Sequence, residues 1–372
     1  MNRILHVIGA MDRAGAETLV MNIYRQIDRT KYQFDFLVNS KKQSDYDEEI
    51  LSLGGKIYRI PTFTGLNYIH YKHALHRHLA LHLEHRIIHN HMTSTAYIVA
   101  KQAHRLNRRV ILHTHSQNFY KGLQHVCFSL SSLPLRSVGD YYFACSEEAG
   151  IETFGSRILA SSRYETLHNA IDLSKYRCTT EDHNILKQYY KLGDRPVFGH
   201  IGRFIPEKNH NFLLQSFYDV KKLLPDAVLL LAGRGPLEEK IKTQAKELNI
   251  ADSVIFLGVC DNVARLLKVI DVFVFPSINE GLGLAAIEAQ AAGATCLLST
   301  GVPELASISF SKRVPLDLGQ TKWAHLLVEA YYDSLYRDRS ETTETLANHG
   351  YDIAQVTDQL TKRYTTLLDE DV

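Results

Sequence analysis

At 372 residues the chain is longer than one hydrophobic core usually supports, so we expect two domains. Apolar residues make up 45% of the chain and charged residues 22%, which excludes disordered and fibrous classes and indicates a globular protein. Residues 1–185 carry 22 Lys+Arg against 17 Asp+Glu, a net of +5, and the remainder carries 20 against 24, a net of −4. An excess of +5 is too modest to indicate nucleic acid, but it suits an acidic partner or an anionic membrane surface.

Cysteine spacing and apolar run lengths predict the compartment. No run approaches the roughly 18 to 20 apolar residues that span a bilayer, and Arg3 and His6 interrupt any N-terminal signal sequence. The cysteines have no paired or CxxC spacing, which predicts reduced thiols in a cytoplasm. We therefore expect a cytoplasmic protein, with peripheral contact at the inner face of the membrane left open. The cysteines are Cys127, Cys145, Cys178, Cys260 and Cys296.

The chain opens with the strand pattern of Ile4–Ile8, a loop of small residues around Gly15, and a helical pattern from Leu19 to Ile27. The order is that of a dinucleotide-binding unit. The G-x-G-x-x-G glycines are missing, so we expect no nicotinamide cofactor. The loop at Gly15 is suited either to a phosphate or sugar, or to a turn that needs no ligand.

Histidines are concentrated in the first half of the chain. Residues 66–86 are predicted as one His-rich helix, in which His78, His82 and His85 fall at i, i+4 and i+7. That spacing permits a metal site, but Arg77 and Arg86 disfavour a cation. A solvated or membrane-facing basic helix is therefore the preferred interpretation.

Two further histidine-bearing runs, residues 87–91 and 110–115, each resemble a buried strand that ends in polar groups. Because sites form at strand carboxyl ends, His91, His113 and His115 are candidates to line a cleft, with hydrogen-bonded core histidines as the alternative. Residues 119–136 mix aromatic, apolar and basic side chains, which suits either a membrane interface or a core helix.

A second α/β series follows a polar linker near residues 176–195. Repeated strand, loop and helix predict a parallel sheet, and therefore two Rossmann-like domains facing a central cleft. The loop after the strand 197–201 carries Arg203 and Lys208, which would neutralise a diphosphate unless they are simply surface charges.

Residues 275–293 combine a strand end, a glycine loop and an Ala-rich helix, the arrangement that presents backbone N–H groups to an anion. Glu280 lies in the loop and Glu288 in the helix. A charge among alanines is costly unless it is paired, so Glu288 suits the two hydroxyls of a ribose. An ordinary solvated helix glutamate is the alternative.

In order and spacing, these segments resemble the GT-B glycosyltransferases, specifically retaining family 4 of bacterial capsule and exopolysaccharide type. The resemblance covers most of the chain and is densest over residues 198–304. Two departures stand out, because the family often has Pro at the position of Gly283 and two glycines at Ala14 and Gly15. The matching segments are GRFIPEKNH, LAGRGPLEEKI, FLGVCDNVARLL, DVFVFPSINEGLGLAAIEAQAAG and STGVPEL, with AGAE, HTHS, FACS and HNAID before them.

The resemblance implies a role for each candidate residue. Arg203 and Lys208 would hold the donor diphosphate, Glu288 the ribose and Glu280 the sugar, whereas His115 and Gly15 would approach from the first domain. Backbone contacts to the donor are implied for Gly233, Gly258, Gly281, Leu282, Gly283 and Leu284. Of these residues, His115, Glu280, Arg203 and Lys208 are the catalytic candidates.

The resemblance further implies metal-independent transfer of a hexose or N-acetylhexosamine from a nucleotide sugar, with UDP-sugar favoured over GDP-mannose. We expect the acceptor to be a lipid-linked saccharide. No cofactor is expected, and the oligomeric state is left open. The expected domains are 1–183, joined by a C-terminal helix at about 353–372, and 184–352. Two alternatives are a non-catalytic GT-B subunit that assists a partner transferase, and a GT-B epimerase that acts on the nucleotide sugar.

Overall fold

Buried strands alternate with helices along both halves of the chain, in a computed structural model that describes residues 1–115, 132–260 and 262–370. The described residues form two units. The first comprises Met1–Ile171 with Gly350–Val372, and the second comprises Asp172–His349. Each unit has its own parallel sheet, which is the α/β class expected from the sequence.

The sheet of the first unit has the strand order β3-β2-β1-β4-β5-β6-β7, with every described pairing parallel. Its strands are short and largely buried, as expected for a sheet covered by helices on both faces. They are β1 Asn2–Ile8, β2 Tyr32–Val38, β3 Ile57–Arg59, β4 His85–Asn90, β5 Arg109–Thr114, β6 Tyr141–Ala144 and β7 Tyr164–Thr166.

Helices cover this sheet, and the last helix of the chain returns to it. In the helix Ile353–Asp369, Tyr364 is fully buried and Thr365 Oγ1 lies 2.5 Å from Tyr32 Oη. Arg86 in β4 also donates to the Leu368 carbonyl at 3.0 Å. The other described helices of this unit are Gly15–Gln26, Asp47–Ser52, Tyr68–Leu81, Ala96–His104, Leu135–Val138 and Glu147–Phe154.

The sheet of the second unit has the order β10-β9-β8-β11-β12-β13, again all parallel. Its strands are β8 Val197–Ile201, β9 Val228–Ala232, β10 Val254–Gly258, β11 Val272–Phe275, β12 Thr295–Ser299 and β13 Ser311–Val314. Its described helices are Leu173–Tyr176, Thr180–Tyr189, His210–Leu223, Glu238–Glu247, Val263–Leu267, Leu284–Ala291, Gly319–Ser334 and Thr342–Asn348.

The segment expected to be a linker is anchored to the second unit. The helix Thr180–Tyr189 begins with a capping box between Thr179 and Asp182. Its Lys187 and His183 reach Asp271, at 3.1 and 2.9 Å, and Asp271 also accepts from the Val197 N–H. Because these bonds tie the helix to the start of β8, residues 172–183 group with the second unit rather than with the first.

The predicted helix over residues 66–86 was wrong in its extent. The helix ends at Leu81, and His85 already belongs to β4, where its Nε2 lies 2.8 Å from the buried Asp35 carboxylate. His78, His82 and His85 therefore do not share one helical face. The stretch 119–136 lies outside the described residues except for its last five. None of the described helices has both the length and the apolar content to cross a bilayer.

Candidate functional site

Three loops join at the carboxyl edge of the second sheet through their backbones. The Gly202 N–H donates to Ala232 at 3.0 Å, and the Gly233 N–H donates to Gly258 at 2.7 Å. Gly233 has φ +137°, and a β-carbon there would lie 2.0 Å from the Gly202 carbonyl oxygen. Only glycine permits this close approach. The loops after β8, β9 and β10 therefore form one platform that contains two of the expected glycine contacts, Gly233 and Gly258.

Two cations stand on the first of these loops. The Arg203 side chain is exposed, whereas Lys208 ends a short 3₁₀ turn, Pro206–Lys208, and is mostly buried. Its ammonium lies 2.5 Å from Glu280 Oε1 and 4.7 Å from the centre of the Phe275 ring. The structure thus brings together Lys208 and Glu280, which lie 72 positions apart in the sequence.

The loop that carries Glu280 is held in place by its backbone. The Ile278 N–H donates to the Glu207 carbonyl at 2.7 Å, and the Glu280 N–H donates to Gly301 at 3.0 Å. Gly281 and Leu282 continue the loop to Gly283, which has φ +80°. Proline is locked near φ −65°, so the proline common in the family cannot occupy this conformation.

Leu284 begins the helix Leu284–Ala291, whose first turn presents backbone N–H groups at the same edge of the sheet. Glu288 lies one turn further along this helix, among alanines, and is partly exposed. Tyr176, on the short helix Leu173–Tyr176, donates its hydroxyl to Glu288 Oε1 at 2.8 Å. Burial raises the pKa of Glu288 to about 7, although this hydrogen bond opposes the rise.

Tyr176 is a site residue that the sequence analysis missed. It lies 112 positions before Glu288, and no local pattern marks it. Its hydroxyl occupies one carboxylate oxygen of Glu288, and the structure gives the other oxygen, Oε2, no partner among the described residues. Glu288 is therefore partly paired within the protein and keeps capacity for a further donor.

Gly15 and His115 belong to the first unit. Gly15 begins the helix Gly15–Gln26, and nothing lies within 4 Å of where its β-carbon would stand, so local packing does not require a glycine there. His115 directly follows β5 at the carboxyl edge of the first sheet. The functional roles expected for these two residues stay predictions.

His115 is part of a cluster of five imidazoles on one face of the first sheet. Its Nε2 lies 2.7 Å from His91 Nδ1, and His91 Nε2 lies 2.9 Å from His6 Nδ1. His113 Nδ1 lies 3.2 Å from His89 Nε2, and His89 Nδ1 lies 2.7 Å from the Tyr364 hydroxyl. We call His6, His89, His91, His113 and His115 the histidine cluster.

Burial keeps the rings of this cluster neutral. It lowers the pKa of His115 to about 4 and of His6 to about 3, and it holds those of His89, His91 and His113 well below the ordinary value. The neighbouring imidazoles lower these pKa values further, except at His115, where the nearby Asn169 side chain opposes the fall in pKa. At neutral pH the cluster is therefore uncharged.

Sequence reasoning named three of the five histidines and missed His6 and His89. The signal was available in the alternation H-x-H, which occurs at His89 and His91 and again at His113 and His115. Residues two apart on a strand share a face. Only the pairing of β1 with β4, which aligns His6 with His89, adds the fifth ring.

Two family models together match most of the chain. One, described as Glycosyltransferase Family 4, matches residues 13–175. The other, described as Glycosyl transferases group 1, matches residues 182–308. The chain is 32% identical to the putative glycosyltransferase EpsF of Bacillus subtilis, over 99% of this chain and 98% of that relative.

A shorter match and a solved structure extend the comparison. The chain is 28% identical to a GDP-mannose-dependent α-(1-6)-phosphatidylinositol monomannoside mannosyltransferase of Mycolicibacterium smegmatis, over 41% of this chain and 42% of that one. The crystal structure of Anabaena Alr3699/HepE in complex with UDP superposes with a TM-score of 0.78 at 14% identity, covering 98% of this chain and 100% of that one. The chain belongs to the family 4 glycosyltransferases and has the GT-B fold.

Proposed function

We propose that this chain transfers a hexose or N-acetylhexosamine from a nucleotide sugar to a lipid-linked saccharide, with retention of configuration, in bacterial capsule or exopolysaccharide synthesis. UDP-sugar is the favoured donor and GDP-mannose the second. We propose that it works in the cytoplasm, at the inner face of the membrane. The family membership carries the transferase activity, and the geometry of the second unit supports the donor assignment.

The observation that carries the donor assignment is the grouping of cations, glycine backbone and one half-paired carboxylate at a single sheet edge. Glu288 Oε2 suits a ribose hydroxyl as donor, since Tyr176 binds only Oε1. Lys208 and Arg203 suit the diphosphate. Parallel α/β sheets bind ligands at this edge, where helix N-termini and loop amides meet the phosphates.

The chemistry follows from charge. When the bond between sugar and nucleotide breaks, negative charge builds on the leaving diphosphate, and Lys208 and Arg203 stabilise it. Glu280 is a positioning group for the sugar hydroxyls, and its ion pair with Lys208 fixes its orientation before the donor arrives. The leaving phosphate takes the proton of the acceptor hydroxyl, so no protein nucleophile and no metal are required.

The comparisons support the two donor candidates and the acceptor class without choosing between them. HepE was solved with UDP, and the mycobacterial relative uses GDP-mannose and a phosphatidylinositol-linked acceptor by its name. The basic first half of this chain, a net +5 over residues 1–185, suits a membrane-borne acceptor.

A thermal-shift panel of UDP, GDP and ADP tests the donor assignment, because a bound ligand raises stability by mass action. We expect UDP to raise the Tm most, and we expect Glu288→Ala to abolish both this shift and transfer. A Glu288→Ala variant with undiminished turnover would refute the ribose contact.

Product analysis separates the alternatives. Release of an isomerised sugar without any acceptor would replace transfer by epimerisation. A chain that is silent alone but raises a partner's activity would be a non-catalytic subunit.

A further inference from the structure

We propose that His91, His113 and His115 form a binding site for a divalent transition metal of the zinc type. One ligand nitrogen from each of the three lies within 4.8 Å of the other two. His113 and His115 come from β5 and its end, and His91 directly follows the neighbouring strand β4. The three rings therefore converge at one point on the carboxyl edge of the first sheet.

The donor atoms select the class of metal. Imidazole nitrogen suits Zn²⁺, Cu²⁺ and Ni²⁺, whereas Mg²⁺ and Ca²⁺ require oxygen ligands. The histidine cluster supplies nitrogen only, and its three convergent rings each offer one nitrogen. Three protein ligands with an open position are the pattern of a zinc site that also accepts water or another group.

Two nitrogens of the triad, His113 Nε2 and His115 Nδ1, lack a hydrogen-bond partner among the described residues. His113 is only 3% exposed, and its Nε2 is buried without a hydrogen bond among the described residues. A buried polar atom without a partner costs free energy unless something binds it. A metal ion bound by His113 Nε2 would remove this cost.

The neighbouring rings orient two of the ligands through their other nitrogens. His91 Nε2 lies 2.9 Å from His6 Nδ1, and His113 Nδ1 lies 3.2 Å from His89, which is held in turn by the Tyr364 hydroxyl. Hydrogen bonds from the far side of a metal-bound imidazole fix its tautomer and orientation. His6, His89 and Tyr364 are therefore positioning residues for this site.

A small movement separates the described geometry from a bound one. His91 Nδ1 and His115 Nε2 lie 2.7 Å apart, at hydrogen-bond distance. Zinc–nitrogen bonds of about 2.0 to 2.1 Å in a tetrahedron place two ligand nitrogens about 3.3 Å apart. Both rings are partly exposed and lie at or beyond their strand ends, so a separation of about 0.6 Å needs no movement of the sheet.

One consequence rests on the proposed function. If His115 contacts the donor sugar, a metal that holds His115 competes with that contact. Zn²⁺ would then inhibit transfer, and a chelator would restore it.

Titration of the full chain tests the site directly. The protein is freed of metal with a chelator and titrated with Zn²⁺ in competition with a chromophoric chelator, and then with Co²⁺ while visible absorption is recorded. We expect one equivalent to bind, with the intense visible bands of tetrahedral Co²⁺. His115→Gln and His113→Gln should each weaken binding at least about 100-fold, and His89→Phe about 10-fold. The control is His73→Gln, which removes an exposed histidine from the helix Tyr68–Leu81 and should leave binding unchanged.

Two results overturn the proposal. Failure of both the wild-type chain and His115→Gln to bind Zn²⁺ in competition with the chelator shows that the cluster is a hydrogen-bonded core only. Binding that is lost in His6→Gln but kept in His115→Gln assigns the metal to the other convergent set, His6, His89 and His91. Because these readouts involve no nucleotide sugar, their failure is distinct from failure of the proposed transfer.

Discussion

The carboxyl edges of the two sheets carry different kinds of chemical group. The first edge carries five neutral imidazoles that bond to one another and to Tyr364. The second carries backbone loops, two cations and two carboxylates, of which Lys208 and Glu280 form an ion pair. The same parallel architecture thus supports a side-chain cluster in one unit and a backbone platform in the other.

The difference shows what each edge tolerates. A platform of touching backbones depends on glycine, because a single β-carbon at Gly233 would collide with the Gly202 carbonyl. A cluster of side chains depends instead on the alternation along each strand and on which strands are neighbours. The second edge should therefore be sensitive to added atoms, and the first to lost rings.

The largest effect should come from Glu288→Gln, which removes the charge at the second edge but keeps the shape. We expect kcat/KM to fall at least about 100-fold, since the amide is uncharged and its single oxygen cannot accept from both Tyr176 and the ribose as the two carboxylate oxygens do. Stability at pH 8 should stay equal or rise by up to about 3 kcal/mol, because ionising a carboxyl of raised pKa costs free energy. Steady-state kinetics and urea unfolding measure both, with exposed Glu247→Gln as the control.

The raised pKa of Glu288 predicts the direction in which folding stability changes with pH. Folded Glu288 has a pKa of about 7 against 4.5 in the unfolded chain, so the folded state holds the extra proton between these values. Its contribution to stability is present below pH 4.5 and is lost as the pH rises through 7. Glu288→Gln should flatten this part of the profile. A slope that persists unchanged would contradict the raised pKa.

A comparison of the stabilities of the Gly233→Ala and Gly15→Ala variants tests the backbone platform. The first should lower the free energy of unfolding by about 2 to 4 kcal/mol, because the new methyl meets a carbonyl at 2.0 Å in a conformation that disfavours side chains. The second should change it by less than about 0.5 kcal/mol, since nothing lies within 4 Å. Equal losses in denaturant unfolding would show that the platform does not depend on this contact.

Substitution of Lys208 should lower stability more than substitution of Arg203, whereas both substitutions should impair transfer. Lys208→Met leaves Glu280 without its partner and should cost about 1 to 2 kcal/mol, whereas exposed Arg203→Met should cost less than about 0.5. Both should raise the donor KM and lower kcat, roughly tenfold or more. Adding Glu280→Gln to Lys208→Met should restore stability but not rate. If only the acceptor KM changes in either single variant, the phosphate assignment is wrong.

The smallest effect belongs to Tyr176→Phe. It removes a hydrogen bond that lowers the pKa of Glu288, so the midpoint of UDP binding against pH should move upward by less than about 1 unit. Calorimetric titrations between pH 6 and 8 measure the midpoint, and the exposed Tyr218→Phe is the control. A downward shift would mean that Tyr176 does not donate to Glu288.

Local sequence patterns were enough to predict much of the fold and of the candidate site. The strand, glycine loop and helix around Glu280 and Glu288 follow from composition over fewer than twenty residues, and so do Arg203 and Lys208 at a strand end. The helix predicted over residues 66–86 ran too far, because its His85 has its partner in Asp35, fifty positions away on another strand. Helical spacing does not reveal a buried partner of that kind.

By itself, the sequence determined the two α/β series, the fold class and the positions of the charged and glycine residues. Side-chain period and loop composition depend only on near neighbours along the chain. Only the tertiary structure decided that β1 lies beside β4, which completes the histidine cluster, and that Tyr176 reaches Glu288. It also placed residues 172–183 with the second unit. Crossover connections and buried partners bring distant residues together, and no local period records them.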